Sequence, residues 1–452
     1  MQAEVNVKEN PDLRQTLQMA EDHPQKTSEH FAELHPSELA ELLLSCKDDE
    51  REILIPLIPD SQMGDTLLGL PESMQQYILA DLQLAEIEDI VEHLDSDDAA
   101  DILQAANKHV ANAIIQRLEP EDRRELEPLM QHAEESAGGL MQAELFKVRH
   151  GWKVEKVLKV LKRFGKTIEN INYVYVVDNE DRLVGVVPLY QLLFAESDDP
   201  VEAYLEPDFP NVHAGEDQEK VAALFKRYDL IAIPVVDEQQ VLIGRITADD
   251  IFDVIHEEAT EDMFRLASLS EDDDLAESVR ITAWRRGVWL AVNLGTAILA
   301  SFVIAQFEAT IEKIVALAVL MPVVASMGGI AGTQTLTVIV RGIALGRITM
   351  KNAWRTLVKE VSVGAMTGMT FAVVIAVIAS NWFPELGIKL GLVIAAAMLI
   401  NLVAAGLAGA LIPLTLQRLK IDPALASGTI LTTVTDVVGF LSFLGLSTLF
   451  LL

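Results

Sequence analysis

The chain has 452 residues, enough for three or four domains, and a formal net charge of −33. From Arg280 onward there are 12 Lys and Arg against 6 Asp and Glu, so this part carries +6 and the first 279 residues carry −39. A strongly acidic half argues against nucleic acid as a partner and favours cations. The single cysteine, Cys46, excludes an intrachain disulfide and a thiolate metal cluster.

The first part of the chain predicts a helical repeat. Residues 1–30 are polar, interrupted by Pro11 and Pro24, and are expected to form a loose leader without a cleaved signal peptide. Residues 31–137 are expected to form an acidic, all-α, superhelical N-domain of stacked short amphipathic helices. An apolar or small residue recurs there every 12 positions: Leu34, Cys46, Ile58, Leu70, Leu82, Leu94, Ala106 and Leu118.

A β-turn-β-α unit occurs twice after the repeat. Val176-Val177-Asp178 and Val235-Val236-Asp237 are 59 residues apart, and each is followed by a second strand and a helix. Residues 138–200 and 201–262 therefore resemble a tandem pair of α/β CBS domains. The second copy matches the ribose-binding pattern of many CBS domains, which implies an ATP-type nucleotide site at Gly244, Thr247 and Asp250. The alternative is that Thr247 only caps the following helix.

The C-terminal part predicts a membrane domain. An acidic helix is expected to begin at Ile255, and residues 263–283 are expected to form a helix that connects the soluble half to residues 284–452. Five apolar stretches of residues 284–452 are long enough to cross a bilayer. They are residues 287–307, 312–340, 360–382, 390–415 and 423–450.

Basic residues predict the orientation of these spans. Ten Lys and Arg fall on one side, against only Lys313 and Lys389 on the other. The positive-inside rule then places the acidic half in the cytoplasm and the C-terminus outside. A multi-pass protein of the plasma membrane, the inner membrane in a bacterium, is expected.

The last span contains one deeply placed carboxylate. Asp436 lies about 21 Å along a helix from Asp422 and about 40° away around its axis, so both share a face with Thr432 and Gly428. A charge at this depth costs several kcal/mol unless water, an ion or a partner meets it. The sequence therefore favours a water-filled path for cations, with a protonated Asp436 bonded to a neighbouring Thr or Asn as the alternative.

The second span adds a glycine-rich element. Gly328, Gly329 and Gly332 stand beside Thr333 and Gln334. Glycines let an ion approach backbone carbonyls, and polar neighbours favour a pore over plain small-residue helix packing, which remains the alternative.

A single carboxylate in each chain is a poor site for a divalent ion, which prefers several oxygen ligands. A two-fold homodimer would place two Asp436 side chains at one axis. Such a pair suits a hard dication such as Mg²⁺, and the lack of intramembrane His or Cys disfavours a soft metal.

The order of these parts resembles the MgtE magnesium channel family over nearly the whole chain. The motifs that carry the resemblance are residues 135–141, 244–262, 328–334, 341–346 and 422–436. The resemblance implies a homodimer with a pore lined by spans two and five, with Asp436 in the pore and Asp422 at its cytoplasmic mouth. Ile330, Thr333 and His256 depart from the family pattern, and the first two leave ion selectivity open.

The resemblance also implies Mg²⁺ sensor sites in the soluble half. These fall on Asp97, Asp101, Glu219, Asp229, Asp250, Asp253, Glu258, Glu261 and Asp262. Together with the charge of −39, they predict that intracellular Mg²⁺ draws the acidic domains together and closes the pore.

Other functions stay open at this point. They are transport of Co²⁺, Mn²⁺ or Ca²⁺, a proton-coupled exchanger, and a nucleotide sensor without conduction. An enzyme is not expected, because the sequence contains no recognisable nucleophile–base pair or phosphate loop.

Overall fold

The structure is a computed structural model, which describes residues 13–452 except 165–167, 169, 207, 268, 270–278 and 426. The chain divides into two compact units, Met1–His256 and Glu257–Leu452. Each unit has its own core, and each is described by itself.

The first unit begins with short helices of about one repeat each, which agrees with the predicted superhelical N-domain. Six of the eight repeat positions are buried, and Cys46, Leu82, Ala106 and Leu118 stand at helix C-termini. Cys46, Ala106 and Leu118 thus end their helices in the core, and every helix from α2 to α10 except α7 starts with a proline or a polar residue. The helices are α1 Leu13–Asp22, α2 Pro24–Phe31, α3 Pro36–Ser45, α4 Asp48–Leu54, α5 Asp60–Leu68, α6 Glu72–Asp81, α7 Leu84–Glu92, α8 Ser96–Ala105, α9 Lys108–Arg117 and α10 Pro120–Leu129.

The expected loose leader is helical wherever the structure describes it. Residues 13–30 lie in α1 and α2, and Thr16, Ala20 and Thr27 are buried there. Pro24 does not break the structure, because it occupies the first turn of α2, where a missing N–H costs nothing. The prediction of a loose leader is wrong for residues 13–30, because it treated Pro24 as a residue that ends a helix rather than one that starts it. Residues 1–12 lie outside the described residues.

Two three-stranded sheets follow, as the tandem α/β pair requires. In each sheet a short first strand runs parallel to the second strand, which pairs antiparallel with the third. The sequence analysis missed the two short first strands, because two or three residues show no alternation. The elements are β1 Lys147–Arg149, α11 Val154–Phe164, β2 Tyr173–Val177, β3 Leu183–Pro188, α12 Leu189–Leu192, β4 Val212–His213, α13 Gln218–Tyr228, β5 Ala232–Val236 and β6 Leu242–Thr247.

One helix, α14, extends from Ala248 to Leu266. A separate acidic helix from Ile255 was expected, but no glycine or proline interrupts residues 248–266, so the helix continues. The predicted connecting helix 263–283 is described only at its two ends, because residues 268 and 270–278 lie outside the described residues.

Five helices of the described chain are long and apolar enough to cross a membrane. They are α15 Val279–Ala305, α17 Ala316–Ala344, α18 Ala353–Trp382, α19 Gly387–Arg418 and α20 Ser427–Phe450, with a short α16 at Glu308–Lys313. Several run beyond the predicted spans, because helical hydrogen bonding continues past the apolar stretch into turns that carry Arg341, Arg355 and Arg418. The most buried of the five is α19, which packs against α17, α18 and α20.

Glycines set the close approach of these helices. A Cβ on Gly364 would lie 2.6 Å from the Leu402 carbonyl oxygen, and one on Gly406 would lie 2.7 Å from the Glu360 carbonyl oxygen. These glycines of α18 and α19 therefore serve small-residue helix packing.

Candidate ion pathway and cation-sensing sites

The membrane unit has an open groove between α17 and α20, with a cavity volume of about 730 Å³. Asp436 and Thr432 line it from α20, and the other eight lining residues come from one face of α17. That face repeats at intervals of three and four residues, which is the spacing of one helix stripe. The lining residues are Ala325, Ser326, Gly329, Ile330, Thr333, Gln334, Thr337, Val338, Thr432 and Asp436.

Asp436 is the one ionisable side chain in this lining, and it is half-buried. Within the part of the chain that the structure describes, no salt bridge reaches it. The neighbouring hydroxyls do not bond to it either, because Thr432 Oγ1 donates to the Gly428 carbonyl oxygen at 2.9 Å. The arrangement leaves the Asp436 carboxylate facing an open groove rather than a neutralising side chain.

The three threonine hydroxyls of the groove are arranged to accept rather than to donate. Thr333 Oγ1 donates to the Gly329 carbonyl oxygen at 2.9 Å, and Thr337 Oγ1 donates to the Thr333 carbonyl oxygen at 2.9 Å. A hydroxyl has one donor and two acceptor lone pairs, so these three Thr side chains offer only oxygen acceptors to the groove. Together with the carboxylate they suit a hydrated cation and disfavour an anion.

The predicted glycines separate into two groups. Gly329 lies at the groove with open space beside it, as does Thr333 one turn later. Gly328 and Gly332 are buried on the other side of α17: a Cβ on Gly328 would lie 2.2 Å from Asn401 Nδ2, and one on Gly332 would lie 2.9 Å from Leu431. These two predicted pore residues therefore serve helix packing. The sequence could not show this, because a run of glycines does not indicate which of them faces a pore and which faces a neighbouring helix.

The other two predicted pathway residues lie at the start of α20, outside the groove lining. A Cβ on Gly428 would lie 3.4 Å from the Leu266 carbonyl oxygen, so the end of α14 packs here. Asp422 precedes α20, accepts the Ala424 N–H at 2.8 Å and forms an ion pair with Arg265. Arg265 also pairs with Glu261, and burial together with Asp422 raises the pKa of Asp262.

The first unit contains an acidic cluster where α8 and α14 approach each other. Asp97 is only 5% exposed, and burial and the charge of Asp250 raise its pKa well above the usual range. Burial and Asp250 also raise the pKa of Asp98 to about 7, and burial raises the pKa of Asp250 to about 6. The cause in each case is carboxylates held close together away from water, an arrangement that a dication would stabilise.

The other predicted sensor residues do not join these three as buried carboxylates. Asp101 and Asp253 are exposed at the edge of the cluster on α8 and α14, where the charge of Asp101 contributes to the raised pKa of Asp98 and that of Asp253 to the raised pKa of Asp250. Glu219 and Asp229 stand exposed at opposite ends of α13. Glu258, Glu261 and Asp262 belong to the second unit. Within the described residues, no three His, Cys, Asp or Glu side chains already converge as a metal site.

The residues of the predicted nucleotide motif contact other residues of the chain. Thr247 is 3% exposed, and its Oγ1 donates to Asp250 Oδ2 at 2.7 Å. A Cβ on Gly244 would lie 2.8 Å from the Gln142 carbonyl oxygen, since the segment around Met141 covers β6. Asp250 Oδ2 also accepts the Thr247 N–H at 3.3 Å, as the third residue of a capping box does, so the capping alternative at the start of α14 is supported.

Several residues of these sites were missed by the sequence analysis. Asp98 has no signal beyond its place next to Asp97, and the pairing of Arg265 with Asp422 joins residues 157 positions apart. Asn401 and Glu360 are buried polar residues in α19 and α18. An isolated polar residue in an apolar span was the available signal for both.

Comparison with known proteins agrees with this layout. Residues 34–135 match the MgtE intracellular N domain, residues 137–198 and 201–257 match CBS domains, and residues 321–446 match the MgtE divalent cation transporter family. The chain is 35% identical to the magnesium transporter MgtE of Thermus thermophilus, with 94% of each chain covered. It is 30% identical to that of Bacillus subtilis, with 93% of this chain and 92% of the other covered.

A solved structure is similar to the soluble half. The cytosolic domain of the Mg²⁺ channel MgtE in complex with ATP is 36% identical, with a TM-score of 0.51, and the match covers 54% of this chain and 99% of that one. The predicted family and fold class are thereby confirmed, as are the CBS pair and the membrane-spanning helices. The chain belongs to the MgtE family of magnesium transporters.

Proposed function

We propose that this chain forms a homodimeric, Mg²⁺-selective channel of the plasma membrane that mediates Mg²⁺ uptake and is closed by intracellular Mg²⁺. The observation that carries the proposal is the groove: one carboxylate, Asp436, faces it beside Thr hydroxyls whose donors are already used. The relatives are named magnesium transporters, which supports transport rather than catalysis.

A second copy would complete the ion site. Mg²⁺ is held by several oxygens and retains most of its waters, so two Asp436 carboxylates could hold its hydration shell where one could not. Each groove is open on one side, and a two-fold axis along α17 and α20 would join two half-sites into one conduit. This supports a dimer whose pore is lined by these two helices.

The orientation of the chain follows from its charges. The basic residues of the membrane unit concentrate at one end of the spans, which the positive-inside rule places in the cytoplasm with the acidic half. With five spans, the C-terminus is then outside.

The acidic cluster supports gating. When internal Mg²⁺ is scarce, Asp97, Asp98 and Asp250 repel one another. A dication between α8 and α14 would relieve this repulsion and favour the compact state of the soluble half. That change would reach the membrane unit through α14, whose last turn holds Arg265 against Asp422.

A nucleotide is not needed for this mechanism. The cytosolic domain that is similar to this chain binds ATP, which supports a nucleotide site within the CBS pair. The sequence pattern would place it at Gly244, Thr247 and Asp250, where the bond between Thr247 and Asp250 orients both side chains.

The proposal is tested by ion uptake into liposomes that contain the purified full-length protein. We expect Mg²⁺ to enter down its gradient without a pH gradient, and we expect Co²⁺ and Mn²⁺ to compete more weakly than Mg²⁺ itself. Empty liposomes are the control. Stronger uptake of Co²⁺ or Mn²⁺ than of Mg²⁺ would show that the protein transports another ion. Uptake that depends on a proton gradient would show that it is an exchanger.

A further inference from the structure

Asn401 is a polar residue buried in the membrane unit. It lies near the middle of α19, its side chain is 0% exposed, and apolar or small residues precede and follow it in the span. An amide at this depth is costly unless its groups are bonded. Packing alone therefore does not explain an asparagine at this position.

The amide of Asn401 links α19 to α17. Its Nδ2 donates to the Val324 carbonyl oxygen at 2.8 Å. This contact is possible because Gly328, one turn later on α17, has no side chain: a Cβ there would lie 2.2 Å from Nδ2. The amide thus fills the space that Gly328 leaves.

The same amide also contacts α20. A Cβ on Gly439 would lie 2.8 Å from Asn401 Nδ2. Asn401 is therefore placed between a glycine of α17 and a glycine of α20, at the point where three helices meet. The side-chain volume of residue 401 sets how closely α17 and α20 can approach.

This junction lies directly behind the groove. Val324 and Gly328 immediately precede Ala325 and Gly329, which line the groove, and Gly439 follows Asp436 by three residues. A change at residue 401 would move the lining of α17 relative to the carboxylate of α20. The separation of those two surfaces determines which hydrated ion fits between them.

The oxygen of the same amide gives a second observation. Asn401 Oδ1 is buried without a hydrogen-bond partner among the described residues. A buried acceptor without a partner lowers the stability of a packed apolar core. If residue 401 served packing alone, an alanine there would avoid this cost. Such local costs are typical of functional positions.

We propose that Asn401 is a positioning residue that sets the distance between Asp436 and the groove face of α17, and so contributes to the selectivity for hydrated Mg²⁺ over other divalent ions. The inference rests on the proposed function of the groove as the ion pathway. It assigns Asn401 no contact with the ion.

The test uses the full-length protein in liposomes and measures the ratio of Mg²⁺ to Co²⁺ uptake. Asn401→Ala should lower this ratio by about threefold, the size of one interhelical hydrogen bond in a membrane. Gly328→Ala should lower Mg²⁺ uptake by about tenfold, because its new methyl group would overlap the Asn401 amide. The double variant should regain most Mg²⁺ uptake but keep the altered ratio.

Gly295→Ala is the matched control, because no atom lies within 4 Å of a Cβ at that position in α15, and both uptake and ratio should be unchanged. An unchanged ratio in Asn401→Ala would overturn the inference, as would a double variant no better than Gly328→Ala. If Gly328→Ala does not fold, judged by its elution in detergent, the ratio of Asn401→Ala decides alone. Failure of the proposed function is distinguished by Asp436→Asn, which would then leave Mg²⁺ uptake intact.

Discussion

Asp436→Asn is expected to reduce Mg²⁺ uptake into liposomes by on the order of a hundredfold. The substitution keeps the shape of the groove but removes the one charge among the described residues that line it. A contact between a carboxylate and a dication across a water layer is worth a few kcal/mol at an effective dielectric constant of about 20. Because two copies would each lose one carboxylate, the effect should exceed that of any single hydroxyl. Initial uptake rates at fixed external Mg²⁺ measure it.

The matched control for this prediction is Glu385→Gln. Glu385 is an exposed carboxylate between α18 and α19, away from the groove, so its charge is screened by solvent. Its removal should change Mg²⁺ uptake by less than about twofold. Equal uptake by wild type and Asp436→Asn would show that the groove carboxylate does not hold the ion.

The second large effect is expected at the acidic cluster of the soluble half. Replacement of both Asp250 and Asp253 by Asn should leave the channel open at internal Mg²⁺ concentrations that close the wild type. The reason is that Asp250 is the charge that most strongly raises the pKa values of Asp97 and Asp98 after burial itself. It is therefore the carboxylate best placed to share a dication with them. Because Asn is a much weaker ligand than Asp for a hard dication, Mg²⁺ could no longer bridge α8 and α14, while the remaining charge of the acidic half still opposes the compact state.

Liposomes loaded with increasing Mg²⁺ on the side of the soluble half would measure this closure. Glu238→Gln, an exposed position in the turn after β5, should close like the wild type. Normal closure of the Asp250→Asn/Asp253→Asn variant would remove this cluster from the gating mechanism.

Closure should also depend on pH, with a direction that the pKa values define. A carboxyl whose pKa is raised in the folded state stabilises the compact state fully at pH values below its unfolded pKa near 3.8. This stabilisation is lost as the pH rises through the folded pKa, which is about 6 for Asp250 and about 7 for Asp98. Above pH 7 both are charged, so Mg²⁺ is needed to hold the cluster together. At pH 5.5 Mg²⁺ should therefore change closure much less than at pH 8.

The sequence was most informative where one physical constraint acts on its own. The interval of 12 residues predicts one short helix per repeat, and the buried residues at Cys46, Ala106 and Leu118 follow it. Similarly, the spacing of four residues was enough to place Thr432 on the helix face of Asp436, and both line the groove. Asp422 was expected on the same face, but it precedes α20 and forms an ion pair with Arg265.

It was least informative where the answer depends on which neighbour a face meets. Gly328 and Gly329 are adjacent and chemically identical, yet one packs against Asn401 and the other borders the groove. The ion pair of Arg265 with Asp422 depends on the folding of the whole unit. The packing of the distant segment around Met141 against Gly244 is likewise absent from the pattern that predicts a nucleotide site at Gly244, Thr247 and Asp250, which stays a prediction.

The most direct measurement of the central claim is the number of ions that the residue-436 side chains bind per chain. In a Cys46→Ser background, which removes the buried native thiol, Asp436→Cys would place one soft ligand in each groove. If two copies share one site, Cd²⁺ should saturate at one ion per two chains. Saturation at one Cd²⁺ per chain, or no binding above that of the Cys46→Ser parent, would contradict a shared ion site between two copies.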